Sequence, residues 1–281
     1  MTQTFQYRLK GLSRSVFVGK HPSQWMSNGQ LFKRYAPFSA NADPRRIDVR
    51  ASVLDPFEQY QVRTYQQHSL LDVYLIADFS ASFRFVGERS KPQLLQQLFL
   101  SIAYSSLSVG DYFAFIGCGQ KLDARWFLPA NRHSGRIEAF CKQLQTAPAS
   151  SSISSLSNIA PYLSKRRSLI FLLSDFHVDL ASLPKLLHSF KHHDVVPLVL
   201  WDKQEFESVP SWGLMTYQDM ETNMTRTLFM RPALREKLLS AYQQRRKNVQ
   251  NSLRALGYEP LFLTSAPFAE QLNDYFRQRS A

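Results

Sequence analysis

Oxygen-bearing side chains follow two of the apolar runs in this sequence. Asp78, Ser80 and Ser82 stand at alternate positions directly after one run, and Asp175 comes just after another. Carboxylates combined with neutral hydroxyls form the all-oxygen ligand set that hard cations such as Mg²⁺ prefer, with places left for water or for a partner's carboxylate. The pattern therefore predicts a divalent-metal site. The alternative is that Asp78 and the serines only cap the turn and helix that follow.

A strand–helix alternation that begins near residue 71 must position these side chains. Short, continuous apolar runs predict strands buried on both faces, at 73–77, 112–116, 169–173, 195–200 and 260–264. Apolar residues at helical spacing predict helices at 94–107, 135–144, from the serine-rich stretch 149–155 to about 166, and at 180–192, 234–256 and 268–276. We also expect a loose edge strand at 122–128, and Pro197 favours an outer place in the sheet for its strand.

Strands joined by crossover helices predict an α/β fold with a doubly wound, mostly parallel sheet. In such sheets, ligands bind beyond the carboxyl ends of the strands, at the point where the strand order reverses. We therefore expect Asp78 and Asp175 to converge at that point. The predicted organisation is a β-containing N-terminal extension at 1–69 and one α/β domain at 70–281, with a hairpin insertion at about 208–230.

The chain of 281 residues carries a formal net charge of +12, and about half of this excess falls within the first 63 residues. Such a field steers a protein toward acidic partners, nucleic acid or anionic lipid. Because the basic residues form no continuous block, a basic but otherwise ordinary surface is the alternative. Nucleic-acid binding through the basic N-terminal region stays open as a second function, for which we expect steep salt dependence and no metal dependence.

A hydrophobic share of 44% with 13% aromatic residues excludes a disordered chain. No apolar run reaches the length of about 18 residues that a membrane-spanning helix needs. The first residues also lack the charged-then-apolar order of a signal peptide, so we expect a cytoplasmic protein. Cys118 and Cys141 show no metal or redox spacing, which predicts two reduced structural cysteines.

Motifs of the common enzyme classes are missing from the sequence. It contains no nucleophile elbow, Walker loop or dinucleotide fingerprint, and its 10 glycines leave few places for a phosphate-cradling loop. A phosphatase of the haloacid dehalogenase type has a second aspartate two residues after the nucleophile, where this chain has Ser80. We therefore expect a non-enzymatic protein, with a metal-dependent hydrolase or nuclease as the alternative.

The run 78–82 resembles the D-x-S-x-S metal motif of von Willebrand factor A domains. More narrowly, the chain resembles the bacterial family named domain of unknown function fifty-eight, and the similarity extends in order along nearly the whole sequence. The segments that carry it are Tyr35, 43–52, 60–63, 78–82, 174–176, Trp201 and Asp202 with Glu205, Pro210, and 219–222.

This resemblance implies a metal ion-dependent adhesion site with five side chains for Mg²⁺, or Mn²⁺. They are the D-x-S-x-S trio, a threonine on a second loop and an aspartate on a third loop, the last of which matches Asp175. Alignment on Leu156 places Ser154 where the threonine is expected, and serine offers the same hydroxyl. The resemblance also implies a partner, a MoxR-type AAA+ ATPase, with which the protein would act as an adaptor in chaperone-like assembly.

Three further groups of residues have two interpretations each. His188 and His192, one predicted helical turn apart, could bind zinc with a third ligand, or lie on a solvated helix face. The stretch 43–48 is either a docking loop or a charged turn with internal salt bridges. The run 245–247 (Arg-Arg-Lys) is either a partner-binding patch or a solvated face of the late helix.

Overall fold

The computed structural model describes residues 3–10, 18–27, 31–38, 43–79, 91–147, 154–201, 210–218, 225–264 and 267–280. The chain forms two compact units. The smaller unit is Leu9–Leu71, and the larger unit consists of Met1–Arg8 and Asp72–Ala281. The family motifs at Asp202, Glu205 and 219–222 lie outside the described residues, as do Ser80 and Ser82. No helix in the described ranges is both long and apolar enough to cross a membrane.

The smaller unit is an antiparallel sheet with a short helix. Strands β1 and β2 flank β3, and the elements are β1 (Val18–Ser27), β2 (Leu31–Pro37), α1 (Val49–Val53) and β3 (Gln61–Ser69). Asp48 ties the unit together because its carboxylate caps α1 at the amide of Ala51 and accepts a hydrogen bond of 2.8 Å from Nε of Arg63. The hydrogen bond from Arg63 lowers the pKa of Asp48. Within the stretch 43–48, Nε of Arg46 lies 4.0 Å from Oδ2 of Asp43, which is an internal salt bridge of the kind that the charged-turn interpretation predicts.

The larger unit contains a six-stranded sheet in the order β11-β8-β7-β4-β5-β6. All neighbouring strands are parallel except β5 and β6, so the predicted doubly wound, mostly parallel α/β fold is confirmed. The strands are β4 (Asp72–Asp78), β5 (Tyr112–Cys118), β6 (Phe127–Asn131), β7 (Leu169–Ser174), β8 (Asp194–Leu200) and β11 (Leu261–Leu263). A separate hairpin pairs β9 (Gly213–Gln218) with β10 (Thr225–Met230).

The helices of this unit cover both faces of the sheet. They are α2 (Lys91–Val109), α3 (Ser134–Gln143), α4 (Leu183–Leu186), α5 (Pro232–Ala255) and α6 (Phe268–Ser280). One face packs Tyr74, Ile76 and Ile116 against Val249 and Leu253 of α5 within a single buried cluster.

Two predicted helices are wrong. The described part of the first, 154–166, forms only short 3-10 turns, at Ser154–Asn158 and Ala160–Tyr162. The segment 180–192 is divided into 3-10 turns around the four-residue α4. Pro161 is the second residue of a 3-10 turn and Pro184 is the second residue of α4, because proline lacks the N–H that would continue a preceding helix.

Two strand predictions also need correction. The edge strand predicted at 122–128 lies further along the chain, as β6. The strand of Pro197 is second from the edge of the sheet rather than at the edge itself, and its pairing with β11 at Leu198–Leu200 begins just after the proline.

The first residues of the chain pack into the larger unit, although the whole smaller unit follows them in sequence. The amide of Phe5 donates to Oγ of Ser105 at 2.9 Å, and its ring lies 5.9 Å from that of Phe171 and 6.2 Å from that of Phe276. Tyr7 donates a hydrogen bond of 2.5 Å to the buried Asp111. Burial raises the pKa of Tyr7, and the Asp111 carboxylate adds to the rise.

We predict that Phe5→Ala lowers the free energy of unfolding by about 3 kcal/mol, because truncation of a buried phenylalanine leaves a cavity among rings that cannot close it. Urea titration followed by circular dichroism measures the loss. The exposed neighbour Thr4 offers a matched control, Thr4→Ala, for which we expect no change. Equal stability of the two variants would mean that the N-terminal residues do not belong to the core.

Candidate functional site

The strand order of the larger sheet reverses between β4 and β7. The chain passes from β4 to β5 on one side and later returns to β7 on the other side of β4. The two strands are parallel, with Ala77 opposite Leu173, so their carboxyl ends meet at the same edge. This is the place where doubly wound sheets bind ligands.

A buried hydrogen bond joins the two strand ends. Oγ of Ser174 donates to Oδ2 of Asp78 at 2.6 Å and accepts from the amide of Phe176 at 3.0 Å. Asp78 and Ser174 are only 7% and 3% exposed, so the carboxylate has little water to stabilise its charge. A hydrogen bond to a carboxylate favours its charged form, and Ser174 thereby compensates part of the desolvation. Sequence reasoning selected Asp78 but missed this serine.

Asp175 directly follows Ser174 and begins a tightly held turn. Its Oδ1 accepts a hydrogen bond of 3.1 Å from the amide of His177. Phe176 has a positive φ of 52°, which costs a residue with a side chain about 1–2 kcal/mol, and its ring is 3% exposed. The buried ring holds the backbone in this conformation, so Asp175 is presented by a turn that packing fixes.

Arg245 of α5 binds the backbone of the same turn. Its Nη2 donates to the carbonyl oxygens of Phe176 at 3.0 Å and Val178 at 2.5 Å. Because both carbonyls lie within the turn, the guanidinium replaces the hydrogen bonds that a strand or helix would give them. Arg245 is therefore neither of the two alternatives that the sequence offered: it holds the loop that carries Asp175.

Phe79 is the second residue of the predicted metal motif and anchors the start of that run. Its amide donates to the carbonyl of Cys118 at 2.8 Å, and its ring meets that of Trp126 edge to face at 5.6 Å. A Cβ at Gly117 would stand 2.4 Å from the Phe79 ring and 2.9 Å from Cβ of Trp126. Glycine is required here because the ring occupies the space of a side chain.

The serine-rich loop reaches this edge through Ser155. Its amide donates to the carbonyl of Gly119 at 3.2 Å, and its hydroxyl is buried with no nitrogen or oxygen partner among the described residues. Ser154, the residue predicted to bind metal, begins the same 3-10 turn. The structure therefore adds Ser155 as a candidate hydroxyl that sequence alignment on Leu156 did not select.

A cavity of about 10 Å³ lies under the strand ends, lined by Asp78, Cys118 and Ser174 together with apolar side chains. This is about the space that one water molecule needs. Burial raises the pKa of Cys118 to about 12, and the nearby Asp78 carboxylate adds to the rise. The thiol of Cys118 thus stays protonated at neutral pH.

The described residues contain no cluster of three His, Cys, Asp or Glu side chains that could hold a metal ion. A metal at the strand ends would therefore need hydroxyls and water beside the two carboxylates, in keeping with the all-oxygen set of a hard cation. His188 and His192 are both exposed, and His188 lies in a 3-10 turn rather than in a continuous helix. The zinc interpretation required the two histidines to lie one turn apart on the same helix, and they do not.

We predict that Gly117→Ala lowers the free energy of unfolding by about 1–3 kcal/mol, because the added methyl group displaces the Phe79 ring from a close-packed site. Gly135 in α3 is the matched control, since a Cβ there meets nothing within 4 Å and Gly135→Ala should leave stability unchanged or slightly raised. Urea unfolding of both variants checks this. A harmless alanine at 117 would show that the ring can move aside.

We predict that Arg245→Met lowers the free energy of unfolding by about 1–3 kcal/mol, because the carbonyls of Phe176 and Val178 lose a charged donor. The amide of His177 should also exchange its hydrogen faster, which mass spectrometry of deuterated peptides detects. Lys247→Met, at an exposed site two residues along the same helix, removes the same charge and should change neither quantity. Similar behaviour of the two variants would contradict the role of Arg245 as a loop fastener.

Comparison with known proteins gives one family. The model described as "Protein of unknown function DUF58" matches residues 42–248, which is most of the chain. No curated protein matches the sequence.

A search of solved structures finds similarity at low identity. Proximal thread matrix protein 1 from the mussel byssus is 16% identical, with a TM-score of 0.36, over 50% of this chain and 41% of that one. The VWA domain of SpRpn10 is 8% identical, with a TM-score of 0.39, over 73% of this chain and 95% of that one. The pilus adhesin SpaC from Lactobacillus rhamnosus GG is 15% identical, with a TM-score of 0.40, over 99% of this chain and 40% of that one. The chain thus spans about two fifths of the mussel protein and of the adhesin, and similarities at this level carry no argument about function.

Proposed function

The chain belongs to the family of proteins of unknown function DUF58, and we propose that it is a non-enzymatic protein-binding module with a divalent-metal site at the carboxyl edge of its sheet. The proposed ligands of Mg²⁺, or Mn²⁺, are Asp78, Ser80, Ser82 and Asp175, which would bind directly or through water. The hydroxyl of Ser154 or of Ser155 would be a further ligand. A carboxylate from the partner would complete the ligand shell. A bound cation would supply an anchoring charge for that carboxylate.

The observation that carries this proposal is the hydrogen bond from Ser174 to Asp78. It joins the strand end that begins the D-x-S-x-S run to the strand end that precedes Asp175. Two carboxylates held at one sheet edge repel each other, and a cation between them turns this repulsion into attraction. Hydrogen bonds that orient a ligating carboxylate are a regular feature of metal sites.

The chemistry of this edge favours binding over catalysis. Its one thiol, Cys118, is buried, and its raised pKa keeps it from acting as a nucleophile. The nearby His177 is exposed and stacks on Trp201 with ring centroids 6.2 Å apart. A metal-dependent hydrolase or nuclease remains the alternative, and turnover of a generic phosphodiester by the metal-loaded protein would favour it.

The net charge of +12 supports an acidic partner, because complementary charge speeds encounter between proteins. From the family resemblance we propose a MoxR-type AAA+ ATPase as that partner, with this chain as its adaptor. The same charge would suit nucleic acid, which makes the salt dependence and the metal dependence of binding the deciding measurements.

We predict saturable binding of Mg²⁺ and Mn²⁺ to the metal-stripped protein in isothermal titration, and its loss in Asp78→Asn. Ser174→Ala should weaken binding by about 10–100-fold, because the hydrogen bond that orients Asp78 is removed. Asp274→Asn removes an exposed carboxylate elsewhere and should bind metal like the parent protein. Circular dichroism confirms that each variant is folded.

Two results would contradict the proposal of a metal site. One is no binding at millimolar metal by the folded parent protein, and the other is equal binding by the parent and Asp78→Asn. Where metal does bind, a purified MoxR-type ATPase should be retained by the parent protein in Mg²⁺ and released by EDTA. Retention that ignores EDTA would place the contact elsewhere on the chain.

A further inference from the structure

The hairpin of β9 and β10 presents an apolar face to solvent. Leu214 pairs with Phe229 across the two strands, and Trp212 precedes β9 with its ring 5.4 Å from that of Phe229. The exposed fractions of Trp212, Leu214 and Phe229 are 65%, 76% and 45%. Thr216 and Thr227, the next pair on this face, are polar and also exposed. The apolar area therefore lies at the base of the hairpin.

The opposite face of the hairpin already faces the protein. Met230 is 1% exposed, and Met215 and Leu228 are half-buried. In a strand with one face on a core, the solvent face is expected to be polar. Large apolar side chains on that face, as a contiguous group, indicate an interaction surface rather than a packing requirement of the fold.

Helix α5 shows where this surface lies. Tyr242 stacks on Trp201, just after β8, at 4.5 Å, and Arg245 binds the turn just after β7. Later residues of the helix enter the core at Val249 and Leu253. Pro232 precedes Tyr242 by ten residues, or about 15 Å of helix. The start of α5 and the hairpin base therefore extend beyond the carboxyl edge that holds Asp78 and Asp175.

Among the described residues, the charged side chains that follow the apolar group in sequence are mainly positive. The Arg231 guanidinium lies 5.6 Å from the centre of the Phe229 ring, and Arg235 and Lys237 follow in the first turns of α5. Glu236 is the only acidic residue in the described range 225–237. A segment with apolar and acidic side chains would therefore complement this base.

We propose that Trp212, Leu214 and Phe229 with Arg231 form a docking surface for an apolar, acidic segment of a partner protein. The inference rests on the proposed function, because a partner whose carboxylate reaches the metal edge passes beside the projecting hairpin. The metal site alone would recognise any accessible carboxylate. The hairpin surface selects, among acidic partners, those that also bring apolar side chains.

A displayed library of random twelve-residue peptides is the probe, selected on the parent protein and tested against the double variant Leu214→Ser, Phe229→Ser. We expect the enriched peptides to combine Leu, Phe or Trp with Asp or Glu. Synthetic copies should shift the emission of the exposed Trp212 to shorter wavelength and bind the double variant at least about tenfold more weakly. Leu54→Ser, at a site 81% exposed in the smaller unit, is the matched control and should bind like the parent.

Enriched peptides without acidic residues, or equal binding by the double variant, would overturn the proposal. Dimers of the parent protein in sedimentation that dissociate in the double variant would also overturn it, since a second copy would then be the occupant. Peptide binding that survives EDTA and Asp78→Asn while metal titration fails would remove the metal site and keep the hairpin surface. Metal binding with no hairpin-dependent peptide would do the reverse.

Discussion

The hydroxyl of Ser174 donates its hydrogen bond to Asp78 across 96 residues of sequence, between two strands that the sheet order makes neighbours. A carboxylate that is 7% exposed needs such a partner, because charge in a poorly solvated place is costly. The bond forms only if β4 and β7 are parallel and in their observed register, since a shift by one residue would turn Ser174 to the other face. The hydrogen bond at the candidate site therefore depends on the order and register of the strands.

Three further contacts, each of a different kind, fix the loops that follow these strand ends. The Phe79 ring fills the space above Gly117, the Phe176 ring holds a left-handed backbone, and Arg245 binds two carbonyls of the turn. None of these contacts uses the oxygen atoms proposed as ligands. The edge can therefore be rigid before a ligand arrives, which lowers the cost of ordering a site when the ligand binds.

The central strands and the meeting of Asp78 with the end of β7 followed from the sequence, because strands buried on both faces leave continuous apolar runs and strand ends in such sheets are functional. Gly117 could also have been found, since a glycine inside a strand pattern indicates close approach. The packing of Phe5 into the larger unit and the contacts of Arg245 could not have been found from the sequence, because both depend on residues far away in the chain.

The choice between Ser154 and Ser155 needs an alignment of the loop that one leucine, Leu156, does not fix. Pro161 and Pro184 carried a local signal that ends helices, and the apolar spacing around them outweighed it in the sequence interpretation.

Helix α5 connects the parts of the larger unit that bear on binding. One end packs in the core at Val249 and Leu253, its middle fastens the Asp175 turn through Arg245, and its start carries the hairpin base. A metal–carboxylate contact is strong but chemically general, whereas a cluster of aromatic and aliphatic side chains discriminates between partners by shape. A rigid helix that spans both features fixes the distance between them. If both proposals hold, a partner must satisfy two chemistries at one spacing, which is a more selective requirement than either surface would impose alone.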